Sequence, residues 1–323
     1  MTRQPSVQVS VIIPFFNTPG SFLHEAVTSV LEQASVTLEL LLVDDGSDPE
    51  AARKAREVAA AGGRRVRYLT HPDGGNHGTS ATRNLGVSEA RGEFVAFLDS
   101  DDVWLPDKLA EQVEVLRSTP AAAMVFGLSE YWNDWSGAPR LATSYVPDAG
   151  ARQRRLLEPP VFVSDFLRGR IVVPNPSNFM VRRSAYLACG GFEESFPGMY
   201  DDQVFLAKLC LEHPVCVVPR CWDRYRQHQD SLSARDREMA TEESSRRRFL
   251  LWLRDYCRER GLYGPDVGEA IAKELWLCRP AEMAPPGFLG RRIRWLKKWL
   301  LRIEEGVVPA GLRHIIWNRD SDL

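Results

Sequence analysis

Phe94-Val95-Ala96-Phe97-Leu98-Asp99-Ser100-Asp101-Asp102 is a short apolar run that ends in a cluster of carboxylates. Bounded by the Gly92-Glu93 turn, it reads as a buried strand, because it is too short for a helix. The pattern recurs upstream, where Leu38 to Val43 ends in Asp44-Asp45-Gly46-Ser47 and the β-branched run Val7 to Ile13 stops at Pro14. Helical periodicity lies between these runs, at about Phe22 to Gln33, Ala51 to Ala61 and Ser80 to Ala90, with a further short strand at Arg65 to Leu69. Such alternation predicts an α/β fold whose central, mostly parallel sheet is flanked by helices. Ligands of these sheets lie beyond the carboxyl ends of the strands, which is where both acidic clusters fall.

Further along, Pro106 to Arg117 reads as a helix and Ala121 to Leu128 as a strand, while Ser129 to Pro160 shows no clear period. The pattern resumes with a strand at Phe179 to Val181, helices at Arg183 to Ala188 and Asp202 to Glu212, and a strand at Val215 to Val218. After about Ser231 the chain turns helical and basic-aromatic, with helices expected over Ala234 to Arg258 and Val267 to Leu277. We therefore divide it into an α/β segment, 1–230, and a helical C-terminal extension, 231–323.

The 323 residues carry 41 Lys plus Arg against 43 Asp plus Glu, a net charge of -2, which excludes a protein held mainly by nucleic-acid phosphates. With 44% hydrophobic and 26% charged residues, the composition is that of a globular protein. No apolar segment approaches the roughly 20 residues needed to span a bilayer, and the first residues do not read as an export signal. The six cysteines lack paired spacing and read as reduced thiols. From these features we expect a cytoplasmic location.

Each acidic group has a chemical reading beside an ordinary one. Asp99 and Asp101, two apart on a turn, suit a divalent ion such as Mg²⁺ or Mn²⁺ that shares a diphosphate, but an acidic loop before Pro106 would also cap a helix. Arg83, in Thr79-Ser80-Ala81-Thr82-Arg83-Asn84, presents forked donors suited to phosphate or to a surface acid. Asp201-Asp202 precedes a helix, where the pair would cap it or supply a general base to an attacking alcohol. Arg224 and Arg226 share one side of an extended chain, and His228 joins them across a turn as a further candidate for diphosphate contact.

Taken in order, these segments resemble the family 2 glycosyltransferases, inverting enzymes of GT-A fold that use nucleotide diphospho-sugars. The resemblance rests on Val11-Ile12-Ile13-Pro14-Phe15-Phe16-Asn17, Val43-Asp44-Asp45-Gly46-Ser47, Ser80 to Gly86 and Phe97 to Asp102. It continues through Gly190-Gly191-Phe192, Asp201-Asp202 and Tyr225 to Ser231, about residues 7 to 231 in all. It implies that Pro14, Phe15 and Asn17 form the nucleotide pocket, that Asp45 reads the base and that Arg83 approaches the diphosphate. It further implies that Asp99 contacts ribose or sugar, Asp101 holds Mg²⁺ or Mn²⁺, Asp201 lies on the acceptor side and Asp202 is the general base. The family often has Glu-Asp where this chain has Asp201-Asp202.

The implied activity is metal-dependent transfer of a sugar to a hydroxyl of a surface glycan, lipid-linked glycan or related glycoconjugate. Two other readings use the same residues: a nucleotidyltransferase that makes activated sugars, and a noncatalytic module that binds sugar nucleotides or protein. Residues 288–303 interleave Arg291, Arg292, Arg294, Lys297, Lys298 and Arg302 with Ile293, Trp295, Leu296, Trp299, Leu300 and Ile303. Helical projection gathers most of the cations on one arc and most of the apolar residues on another. Such a helix suits either an anionic membrane surface, which would make the protein peripheral at the inner face of the cell membrane, or packing against protein.

Overall fold

The computed structural model describes residues 7–136, 143–147, 154–196, 199–228, 231 and 242–278. Its first half alternates strand and helix: β1 (Val9–Phe15), α1 (Gly20–Leu31), β2 (Leu38–Asp44), α2 (Pro49–Ala61), β3 (Val66–Thr70), α3 (Thr79–Ser88) and β4 (Phe94–Phe97). Every residue of β1, β2 and β4 is buried, so each reads as an unbroken apolar run and not as an alternating one. These strands pair in parallel in the order β3-β2-β1-β4.

The second half contributes β5 (Val103–Trp104), α4 (Lys108–Ser118), β6 (Met124–Trp132), β7 (Arg155–Leu157), α5 (Val161–Leu167), β8 (Met180–Arg182), α6 (Arg183–Ala188), α7 (Asp201–Glu212) and β9 (Val215–Arg226). Strand β8 runs antiparallel between β4 and β6, and β9 lies parallel to β6. Strands β5 and β7 run antiparallel to β9. Six strands, β1 to β4 with β6 and β9, therefore point one way, and three oppose them. Helices α8 (Glu242–Glu259) and α9 (Pro265–Leu277) complete a GT-A-like α/β domain with a helical C-terminal extension.

The chain divides at Leu275/Trp276, and everything below concerns the first unit. Among the described residues no helix is long and apolar enough to cross a membrane. Residues 288–303 lie outside the described residues.

The largest departure from the sequence reading is the length of β9. Expected to stop at Val218, before Pro219, it continues to Arg226. Pro219 is accommodated because Val217 pairs with Phe126 and Cys221 with Leu128, so residues 218–220 bulge opposite Gly127 and no ladder N–H is needed from the proline. Gly127 is required there, since a Cβ would stand 2.3 Å from the Arg220 carbonyl oxygen. Beyond the bulge, β6 and β9 run on together to pair Trp132 with Arg226. This extension carries Arg224, Arg226 and His228 to the carboxyl end of the sheet.

Candidate active site

Four loops meet at that end. After β1, Asn17 adopts a left-handed backbone, φ 50°, and ties itself to the loop after β2: its N–H donates to Ser47 Oγ at 3.0 Å, and its Oδ1 accepts from Asp48 N–H at 2.8 Å. Pro14 and Phe15 lie inside β1, with Phe15 buried, whereas the neighbouring Phe16 is 52% exposed. An exposed phenyl at the mouth of the sheet is a surface on which a planar base could stack.

The loop after β2 is built on two buried aspartates. Asp44 accepts from Ser47 N–H at 2.9 Å and from the Tyr68 hydroxyl. Asp45 accepts from the backbone N–H groups of His77, at 2.7 Å, and Gly78, at 3.1 Å, and so anchors the start of α3. Both of its oxygens thus serve the loop after β3. Gly46 makes this approach possible: its φ is +78°, and a Cβ would lie 2.7 Å from backbone atoms of Gly75 and Asn76. Gly46→Ala is expected to destabilise the protein by at least about 1–2 kcal/mol, the cost of a left-handed non-glycine residue alone. Denaturant titration checks this, and an unchanged midpoint would show that the loops do not need their present separation.

The acidic turn after β4 and the start of α7 meet through Arg83. This buried guanidinium donates from Nη2 to Asp99 Oδ1 at 2.7 Å and from Nη1 to Asp201 Oδ2 at 3.1 Å, and it lies 4.9 Å from the Phe192 ring centroid. The next residue, Asn84, clasps the Gly190-Gly191-Phe192 turn. Its Oδ1 accepts from Phe192 N–H at 3.0 Å, and its Nδ2 donates to the Phe192 carbonyl at 3.0 Å. Both halves of the sheet are therefore joined through one turn of α3.

Asp201 and Asp202 open α7, and both accept first-turn N–H groups, Asp201 from Asp202 and Asp202 from Gln203, each at 2.7 Å. These bonds occupy one oxygen of each acid, while the N-cap position itself belongs to Tyr200, which has no side-chain cap. Burial, reinforced by the charge of Asp201, pushes the Asp202 carboxyl up to about 7, against the pull of the Gln203 N–H and of Arg83. A carboxyl poised there can exchange a proton near neutral pH. Asp99 is also raised, first by burial, with Arg83 opposing.

On the other side of the turn, Asp101 Oδ2 lies 2.9 Å from His228 Nε2. Arg226 is almost wholly buried: its N–H donates to Asp102 Oδ1 at 2.9 Å, its Nε to the Asp101 carbonyl at 2.7 Å and its Nη2 to Glu25 Oε2 at 2.6 Å. Phe22, Trp132 and Trp135 surround the same guanidinium, with centroids 4.3 to 5.0 Å away. Arg224 instead pairs with Glu130 at 2.9 Å. Asp102 is fully buried, accepts from Ser177 Oγ at 2.7 Å and has its carboxyl held well above the usual range by burial and by Asp101 and Asp99.

The structure therefore gathers Asp99, Asp101, Arg83, Asp201, Asp202, Arg226 and His228 into one end of the sheet, beside Asn17 and Asp45. Sequence reasoning missed Asn84, Phe16, Glu25 and the apposition of His228 with Asp101. None of these roles had a signal in local spacing, and the strand that carries His228 to Asp101 was itself expected to end at Val218. Among the described residues no group of three or more His, Cys, Asp or Glu is arranged to hold a metal ion. At the acidic turn, Asp101 and His228 offer one hard oxygen and one imidazole nitrogen.

Comparison with known proteins agrees with this architecture. An uncharacterized glycosyltransferase of Rickettsia felis is 38% identical over 110 residues, 34% of this chain and 17% of that protein. The O-antigen biosynthesis protein RfbC of Myxococcus xanthus is 31% identical over 210 residues, 64% of this chain and 14% of its own length. The chain thus spans less than a fifth of these two relatives. The crystal structure of S. aureus TarS 1-349 in complex with UDP-GlcNAc superposes with a TM-score of 0.56 at 16% identity, covering 85% of this chain and 82% of that one, a likeness of fold. The sequence pattern described as glycosyl transferase family 2 matches residues 10–188, more than half of the 323, and the chain belongs to that family.

Proposed function

We propose that the protein transfers a sugar from a nucleoside diphosphate donor to a hydroxyl of a surface glycan, lipid-linked glycan or related glycoconjugate, with inversion at the anomeric carbon. The observation that carries this reading is the Arg83 bridge, which sets the acidic turn after β4 beside an aspartate poised near neutrality. The O-antigen role in the name of RfbC and the UDP-GlcNAc held by TarS support the choice of acceptor and donor class.

In this mechanism Asn17 and Asp45 shape the nucleotide pocket, Phe15 backs it from the core and Asp99 faces the ribose or sugar. Arg83 keeps Asp99 and Asp201 in place next to the diphosphate. Asp202 takes the proton of the acceptor hydroxyl as that oxygen attacks the anomeric carbon from the face opposite the leaving diphosphate. Alignment of acceptor and donor supplies much of the acceleration. Arg226 and His228 close the diphosphate side.

Asp101 and His228 would hold a divalent ion, Mg²⁺ or Mn²⁺. Two protein ligands are a partial set, as befits an ion that takes its remaining ligands from substrate phosphates and water. When bound, the ion stabilises negative charge on the departing diphosphate. Asp101→Ala and His228→Ala are each expected to weaken the Mn²⁺-dependent gain in UDP affinity by roughly tenfold or more, read by calorimetry with and without Mn²⁺. A gain that survives both substitutions would remove the metal from these residues.

We also assign residues 1–230 to catalysis and 231–323 to a helical extension whose segment 288–303 suits an anionic membrane surface, with the protein peripheral at the cytoplasmic face. Incubation with a panel of sugar nucleotides and glycan acceptors tests the reaction. Release of nucleoside diphosphate together with a glycosylated acceptor is expected. Release of pyrophosphate would mark a nucleotidyltransferase instead.

A further inference from the structure

We propose that α8, which lies outside the family-matched residues, positions the candidate base: the Phe249 ring holds Tyr200 in the backbone conformation from which α7 starts, and so fixes where Asp201 and Asp202 stand. This inference rests on the proposed role of Asp202.

Tyr200 has φ 76° and ψ 9°, a left-handed conformation in which a bulky non-glycine residue is strained. It is nonetheless the residue immediately before α7, and its carbonyl accepts the Val204 N–H at 2.9 Å, in the first turn of that helix. A glycine would meet the backbone requirement without strain, so the side chain must contribute something else. Its ring is buried and stacks on Phe249 of α8, with centroids 5.6 Å apart and planes 12° from parallel. Phe166 of α5 also lies against Phe249, with ring centroids 6.0 Å apart and planes tilted by 40°.

The same face of α8 grips the approach to Tyr200 a second time. Arg248 lies 4.6 Å from the Phe196 centroid, and Trp252 meets Phe196 edge-on at 6.4 Å. Trp252 stacks in turn on Tyr256, so residues 249, 252 and 256 form one aromatic stripe at helical spacing. Asp202 follows Tyr200 by two residues, so any relaxation of the stack is passed to its carboxyl with little chain to absorb it. The charged groups that face Asp202 are Asp201 from its own helix, Arg83 from α3 and Asp99 from the turn after β4. None of them belongs to α8, so α8 acts by packing and exclusion of water and not by charge.

The test uses the full chain labelled with carboxyl-¹³C aspartate, in which the Asp202 signal is identified by its loss in Asp202→Asn. Phe249→Ala removes the supporting ring. Tyr200→Gly keeps the left-handed backbone but removes the stack. Ile271→Ala, a truncation of a fully buried residue in α9, matches the loss of core without touching Tyr200. Hydration of the loosened helix start is expected to lower the Asp202 midpoint by about one pH unit in the first two variants. In Ile271→Ala the midpoint should stay at the wild-type value although the melting temperature falls. With any sugar nucleotide that turns over, kcat should drop on the order of tenfold in the first two variants while the donor KM holds.

An unchanged Asp202 midpoint in Tyr200→Gly, or an equal shift in Ile271→Ala, would overturn the proposal. If Phe249→Ala does not fold, Tyr200→Gly decides alone. The titration needs no substrate, so its result stands even if no donor is found and the transfer reading fails.

Discussion

Asp202→Asn is expected to lower glycosyl transfer by about 10²–10⁴-fold while leaving nucleoside diphosphate affinity nearly unchanged. The amide keeps the size of the side chain and an oxygen able to accept the Gln203 N–H, so the start of α7 should persist. What is lost is the capacity to take a proton. Because burial holds this carboxyl up at about 7, a base at Asp202 would be protonated and idle below that pH and charged and active above it. The transfer rate of the wild-type protein should therefore climb as pH rises through about 7 and then level off. In Asp202→Asn the residual rate should lack that climb. A variant that keeps both its turnover and its pH profile would assign proton removal to another group.

Replacing Arg83 by Met is expected to give the largest loss of stability among single substitutions at the site, about 3–5 kcal/mol at pH 7. Methionine keeps an apolar stem but removes the guanidinium that lies over the Phe192 ring and is the only cation placed between Asp99 and Asp201 among the described residues. Two partly buried carboxylates would then face each other without compensation. The loss should shrink as pH falls and Asp99, already raised by burial, takes up its proton. Denaturant unfolding at pH 7 and pH 5 checks this. A loss below about 1 kcal/mol at pH 7 would mean that solvent already screens the pair.

The first half of the fold is legible because its strands are buried on both faces, which leaves apolar runs with acids or turns at their ends. Strands β1, β2 and β4 fall within two residues of where periodicity sets them. Helix α4 was expected from Pro106 but begins at Lys108, since Asp107 takes a left-handed backbone, φ 65°, just before it. Strand β7 and helix α5, of three and seven residues, are too short to show a period; β7 falls in the stretch that reads as irregular, and α5 directly follows it. The end of β9 was hidden by Pro219, because a bulge that tolerates proline is a property of two strands together.

The site divides along similar lines. Asp99, Asp101, Asp201 and Asp202 are visible as clusters, and a cluster is a local feature. The contact of His228 with Asp101 spans 127 residues of chain and depends on β9 reaching past its bulge. The clasp of Asn84 on Phe192 likewise spans 108 residues. No spacing along the sequence encodes such meetings. Arg83 reads as a phosphate donor from its residue type, whereas the fold gives its guanidinium two carboxylates first.

The irregular pairing of β6 with β9 also constrains which length changes the chain can bear. Past the bulge, Glu130 faces Arg224 and Trp132 faces Arg226, and this parity is set by the two register shifts between Phe126 and Ser129. Strand side chains alternate faces, so gain or loss of a single residue at 218–221 would exchange Arg226 with Tyr225 across the sheet. Asp101 and Asp102 would lose their partner at one stroke, with every side chain of the candidate site still present in the sequence. Loop grafting and domain shuffling in this protein should therefore leave the span from Val217 to Asp223 at its native length.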